Sequence, residues 1–259
     1  MTHTRHSTRS FILSLLSLLV VLVAVVFSVS WQRQVSQAAG ATSHLQLKLA
    51  GQPGNWASPP VSVYIGSFDH HVYALNASTG VRRWGKQTGN FVESSPEVVN
   101  GTVYIGSNDD HVYALNASTG ALRWRFTTGG PVRSSPEVVN GTVYVGSDDH
   151  RVYALNAITG ALRWSFTTGE VVYSSPEVVN GTVYVGSIDD YVYALNATTG
   201  ALRWRFTTGG AVYSSPEVVN GTVYIGSDDD RVYALNATTG ALRWRFTTGS
   251  SVESSPEVA

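Results

Sequence analysis

Along residues 57–259 the apolar positions never recur at the three- and four-residue spacing of a helical stripe. They alternate with polar positions in short runs rich in Val, Tyr, Ile and Thr, which break at clusters of Asn, Asp, Gly and Ser. In "AVYSSPEVVNGTVYIGSDDDRVYALNATTGALRWRFTTG", residues 211–249, this pattern predicts four strands over about 212–219, 222–227, 231–237 and 241–247. Each join carries turn chemistry. Asn220-Gly221 suits a type I′ hairpin, in which both central residues take positive φ. Residues 228–230 and 236–240 supply side-chain oxygens for nearby amides and a glycine for a left-handed position.

The same pattern is written five times. Trp84, Trp124, Trp164, Trp204 and Trp244 fall 40 residues apart without drift, the length of one four-stranded propeller blade. The expected fold is therefore all-β, a β-propeller of about five blades over residues 57–259, each blade a meander. Pro216 removes a ladder donor, so its strand belongs at a sheet edge, beside the central axis. In "LRWRF" Arg243 and Arg245 share one face, and Trp244 takes the other, where it can pack on the next blade. One blade cannot bury both of its faces, whereas stacked blades bury each other.

"YALNATTGALRWRF" resembles the tryptophan-docking motif of the PQQ-like β-propeller repeat family, and "SSPEVVNGTVYIGS" resembles the strands that precede it there. The family motif usually has Asp where this chain has Asn76, Asn116, Asn156, Asn196 and Asn236. The resemblance implies a propeller fold. It leaves activity open, because the family contains both quinoprotein alcohol dehydrogenases and the scaffold lipoprotein of the outer-membrane barrel assembly machinery. Those relatives have seven or eight blades. Here two arrangements stand: a five-bladed ring closed by residues 254–258 as the inner strand of the first blade, or an incomplete, open array. The second is favoured, and its apolar ends favour self-association.

The first forty residues read differently. Arg5 and Arg9 precede an uncharged stretch, residues 10–32, about long enough as a helix to cross a ~30 Å hydrocarbon core. Ser36-Gln37-Ala38 and Ala39-Gly40-Ala41 offer the small-x-small pattern of a cleavage site. Residues 1–40 are thus expected to be a signal anchor or a signal peptide cut near Ala38 or Ala41, with residues 41–56 a linker. The repeats then face an extracytoplasmic compartment.

Composition narrows the chemistry. A formal net charge of -1 gives no basic footprint for nucleic acid. The absence of cysteine excludes disulfides, thiolate metal sites, a catalytic cysteine and the cysteine pair of the quinoprotein enzymes. No cofactor and no metal site is expected. His70, His71, His111 and His150 sit at an exposed turn, and the neighbouring aspartates lack the ligand spacing of a calcium loop. Glu97, Glu137, Glu177, Glu217 and Glu257 recur on the axial strand and are expected to point into water at the channel mouth.

A unique site needs residues that break the repeat. The positions just before "SSPE" do so: Glu93, Arg133, Tyr173, Tyr213 and Glu253, beside Phe91, Pro131, Val171, Ala211 and Ser251. They are the candidate ligand-binding residues at one mouth of the funnel, whereas the five tryptophans are structural. The expected function is a non-catalytic binding or scaffold module for a protein partner or small ligand. A quinone-dependent dehydrogenase or its remnant, and a sensor module, are the alternatives.

Overall fold

The computed structural model describes residues 61–259, so the expected signal or anchor segment and the linker lie outside the described residues. Among the described residues no helix is long and apolar enough to cross a membrane. The chain there is all β, in five sheets. The first has three strands, Ser62–Ser67, His71–Asn76 and Arg82–Gln87. The second has four, Glu97–Val99, Thr102–Ser107, His111–Asn116 and Leu122–Thr127. The third (Glu137–Val139 to Leu162–Thr167), fourth (Glu177–Val179 to Leu202–Thr207) and fifth (Glu217–Val219 to Leu242–Thr247) repeat that order. Every sheet is an antiparallel meander in chain order, a propeller blade.

The turns follow the sequence. Asn100, Asn140, Asn180 and Asn220 each have φ 49°, and the glycine after each is also positive, the backbone of a type I′ hairpin. Asn236 Oδ1 accepts from the amides of Thr238 and Thr239, so asparagine does the turn-forming work of the family aspartate. The residue at the second turn is left-handed in all five blades, at His70, Asp110, His150, Asp190 and Asp230.

One predicted element differs. The first strand of the fifth blade pairs only over Glu217–Val219, not from residue 212. Residues 212–216 are used between sheets: Val212 is fully buried, and the Ser214 hydroxyl accepts from the amide of Gly226. The two preceding blades show the logic, since Val172 meets the Gly146 backbone of one blade and Ser174 Oγ the Gly186 amide of the next. A stretch committed to bridging two blades has no ladder partner to spare. The short inner strands of the second to fifth blades neighbour one another along the axis. There each Ser95, Ser135, Ser175 and Ser215 amide donates to the serine hydroxyl 40 residues later.

Between blades lie four equivalent hydrophobic cores. Trp84, Trp124, Trp164 and Trp204 are each 8% exposed, and each indole Nε1 donates to an alanine carbonyl of the next blade: Ala117, Ala157, Ala197 and Ala237. Tyr64, Tyr104, Tyr144 and Tyr184 donate to the same four carbonyls. The fifth tryptophan departs from its expected docking role. Trp244 is 47% exposed, because no described blade follows it. Likewise residues 254–258 form no ladder with the first blade, whose strand Ser62–Ser67 pairs only with His71–Asn76. The array is open.

Candidate functional site

The segments that bridge adjacent blades each carry one repeat-breaking side chain to the same mouth of the array. Four of the five candidates converge. Arg133 Nε lies 3.6 Å from Glu93 Oε1, and Arg133 Nη1 lies 3.1 Å from Asp148 Oδ2 and donates to the Tyr173 hydroxyl. The guanidinium carbon sits 5.1 Å from the Tyr173 ring centre, and Tyr173 in turn stacks on Tyr213 with centroids 5.5 Å apart. Glu93, Arg133, Tyr173 and Tyr213 thus form one line across four bridging segments. Glu253 continues its direction, exposed and close enough to Asp228 to raise that carboxyl behind the effect of burial.

Two contributors were not anticipated. Asn108 Nδ2 donates to Glu93 Oε1 at 2.6 Å, and Asp148 flanks Arg133. Both occupy the position after the second strand, which reads Phe68, Asn108, Asp148, Ile188 and Asp228 through the repeats. It breaks the repeat as clearly as the column before "SSPE" does, and that variation was the signal available. The phenyl ring of Phe68, at the same position in the first blade, meets Phe91 edge-on.

The cluster is polarised. One guanidinium sits between two carboxylates, and a stacked tyrosine pair lies beyond it. Burial pushes the Asp148 carboxyl up, against the pull of Arg133. Burial likewise pushes the Tyr173 phenol up, so its hydroxyl keeps its proton. Arg133 Nε, Asn108 Oδ1 and Asp148 Oδ1 are buried without a hydrogen-bond partner within the protein.

The neighbouring aspartates have a different task. Asp109, Asp149, Asp189 and Asp229 each take the hydroxyl of the tyrosine four residues on and the amide of a glycine twenty residues back. They clip one blade to the last, in keeping with a structural turn. Among the described residues no group of three or more His, Asp and Glu side chains is placed to hold a metal ion. His71 and His111 turn Nδ1 back to the carbonyls of Asp69 and Asp109, each within its own turn.

The axial glutamates correct an expectation. Glu137 does not simply stand in water: it is half-buried, and its pKa rises to about 7. Burial is the main cause, followed by Glu177 and Glu97 on either side. Glu177 is raised for the same reasons, by burial and then Glu217.

Fold and site together define a propeller of four-stranded, tryptophan-docked blades whose bridging segments bring Glu93, Arg133, Tyr173 and Tyr213 into contact. The chain belongs to the family described as "Beta-alanine-activating enzyme, beta-propeller", whose model matches residues 55–259. Among curated proteins none matches it. Solved structures do. BamB from Moraxella catarrhalis is similar at 25% identity with a TM-score of 0.64, over 71% of this chain and 57% of that one. A quinohemoprotein alcohol dehydrogenase, ADHIIG from Pseudomonas putida HK5, is similar at 26% identity with a TM-score of 0.56, over 62% of this chain and 35% of that one. The computationally designed Ika8 shares the fold at 16% identity with a TM-score of 0.70, over 78% of this chain and 64% of that one. The chain spans less than two thirds of the length of each.

Proposed function

We propose that this propeller is a non-catalytic binding or scaffold module, held at or exported across a membrane by its N-terminal segment, and that Glu93, Arg133, Tyr173 and Tyr213 are its recognition surface. The observation that carries the reading is their convergence. Four side chains that break an otherwise uniform repeat lie in one contiguous line. Stacked tyrosines beside an arginine suit recognition, since they offer rigid area at low entropic cost. The likeness to BamB supports a scaffold role. A protein segment or a flat small ligand fits the line.

A photo-crosslinking residue in place of Tyr213, on the full chain in its native membrane or secreted fraction, tests this. Adducts are expected that disappear on Arg133→Ala and that a crosslinker at exposed Arg205 does not form. Equal labelling at both positions would overturn the surface assignment. The likeness to the quinohemoprotein dehydrogenase supports the alternative of a quinone-dependent enzyme. Saturable tryptophan quenching by the quinone with calcium would favour that reading over the scaffold.

A further inference from the structure

In an antiparallel meander the first and third turns lie at one end of the sheet and the second turn at the other. The line of Glu93, Arg133, Tyr173 and Tyr213 gathers at the second-turn end, beside Asn108 and Asp148. At the opposite end, between the second and third blades, lies a cavity of about 400 Å³ walled by Val99, Val138, Ala157 and Ile158. Both blades have four strands and a blade on either side. At the ~30 Å³ that a water takes in the liquid, the cavity has room for about a dozen non-hydrogen atoms.

One of its residues breaks the repeat. Ile158 is 85% exposed, at a third-turn position that reads Ser78, Ser118, Thr198 and Thr238 in the other blades. The turn does not call for isoleucine: the Ile158 amide donates to Asn156 Oδ1 at 2.9 Å, as the amides of Thr198 and Thr238 do to Asn196 and Asn236. What the side chain adds is an apolar wall carried out to the cavity mouth. Every other lining residue recurs 40 residues on with the same identity, so Ile158 alone sets this cavity apart from its counterpart at the next interface. Arg123 is the one charged residue of the lining, and its Nη2 donates to Gly101 O at 3.1 Å. Arg163, Arg203 and Arg243 do the same in their own blades, and no acidic residue stands in any first or third turn. This end of the array therefore favours an anion.

We propose that this cavity binds a small aliphatic carboxylate, at a site separate from the line at the other mouth. The carboxylate accepts from the Arg123 guanidinium, which Gly101 O holds in place, and the hydrocarbon chain lies against Val99, Val138 and Ile158. The hydrogen-bonding groups select an acceptor. Ala157 O, in the lining, already takes the Trp124 indole and the Tyr104 hydroxyl, and Gly101 O takes the Ala117 amide and Arg123. Both lone pairs of each carbonyl are thus used, so a ligand that donates finds neither of them open. A cationic ligand would meet Arg123 with like charge, and an anion without a chain would leave the apolar wall in water.

The chain has six isoleucines, so a methyl-labelled isoleucine spectrum isolates Ile158. With the full chain in phosphatidylcholine nanodiscs, hexanoate is expected to shift the Ile158 methyl saturably and to leave Ile188 and Ile225 in place. Hexanol keeps the chain and lacks the charge, and is expected to bind about tenfold more weakly, the loss of one charge-assisted hydrogen bond. Arg123→Met is expected to erase the preference for hexanoate over hexanol. Ile158→Thr writes the residue that the fourth and fifth blades already carry at that turn, so it leaves the fold intact. It is expected to weaken hexanoate roughly tenfold, read from the relaxation of the ligand's own signals. Thr198→Ile is expected to create a second saturable site at the next interface. Hexanol binding as tightly as hexanoate, hexanoate affinity unchanged in Ile158→Thr, no second site in Thr198→Ile, or a shift that never saturates would each overturn the proposal.

Discussion

The segments "LRWRFTTG" at 202–209 and 242–249 are identical in sequence, yet Trp204 is 8% exposed and Trp244 47%. The first blade repeats the contrast from the other side. "TVYIGS" at 102–107 is buried throughout, whereas "SVYIGS" at 62–67 is nowhere fully buried and is exposed at Val63 and Ile65. What separates the interior blades from the end faces is therefore not composition or strand propensity but whether a neighbour is present. A blade's stability lies largely in its interfaces, as in other repeat arrays where nearest-neighbour terms add to weak unit stabilities.

Substitutions at matched positions break this comparison most strongly at the tryptophans. Trp164→Ala empties a buried site and removes a hydrogen bond to Ala197, and is expected to cost about 3–5 kcal/mol in a urea unfolding experiment. Trp244→Ala in a protomer is expected to cost well under half of that; an equal loss would show that the fifth face is covered. Gly120→Ala and Gly80→Ala form a second matched pair. Both place a side chain at φ near +70°, costing about 1 kcal/mol, but only the first drives a Cβ into Trp84, so it is expected to lose about 2 kcal/mol more by the same measurement.

The axial carboxylates sharpen the comparison through pH. The folded-state pKa of Glu137 is raised above its unfolded value, so its contribution is present below about pH 4.5 and is lost as pH rises through about 7. Glu137→Gln is accordingly expected to match the native chain at pH 4 and to exceed it by about 1 kcal/mol at pH 8, after allowance for solvent screening of a half-exposed group. A constant difference across that range would show that neither burial nor Glu177 and Glu97 raise this carboxyl in the folded chain. The smallest contrast is hydroxyl deletion. Tyr184→Phe removes a bond to Ala237 and is expected to cost about 1 kcal/mol, whereas Tyr224→Phe in a protomer is expected to cost almost nothing. Thermal melts of the two variants would reveal either outcome.

Much of this was legible in advance because it is local. The Asn-Gly turns, the asparagine turns, the four-strand meander and the edge position of the strand that follows the proline each depend on residues within one repeat. The length of the inner strand was not legible, since residues 212–216 satisfy both β-propensity and the bridging role, and only the neighbouring blade decides between them. The clip formed by Asp109 and its counterparts was read as turn chemistry alone for the same reason: half of its partners lie twenty residues away, in another sheet.

Local backbone preference and hydrophobic alternation act over a few residues, so the sequence by itself determined the blade, its 40-residue period and the side of the strand that each tryptophan occupies. The tertiary structure alone decided which copies of a residue are covered, that Glu93, Arg133, Tyr173 and Tyr213 touch in a line, and that neighbouring glutamates repel. Those outcomes depend on how closely one blade stacks on the next. Stacking brings residues 40 apart in the chain to within one side chain of each other, a distance set by interface packing that no single repeat encodes.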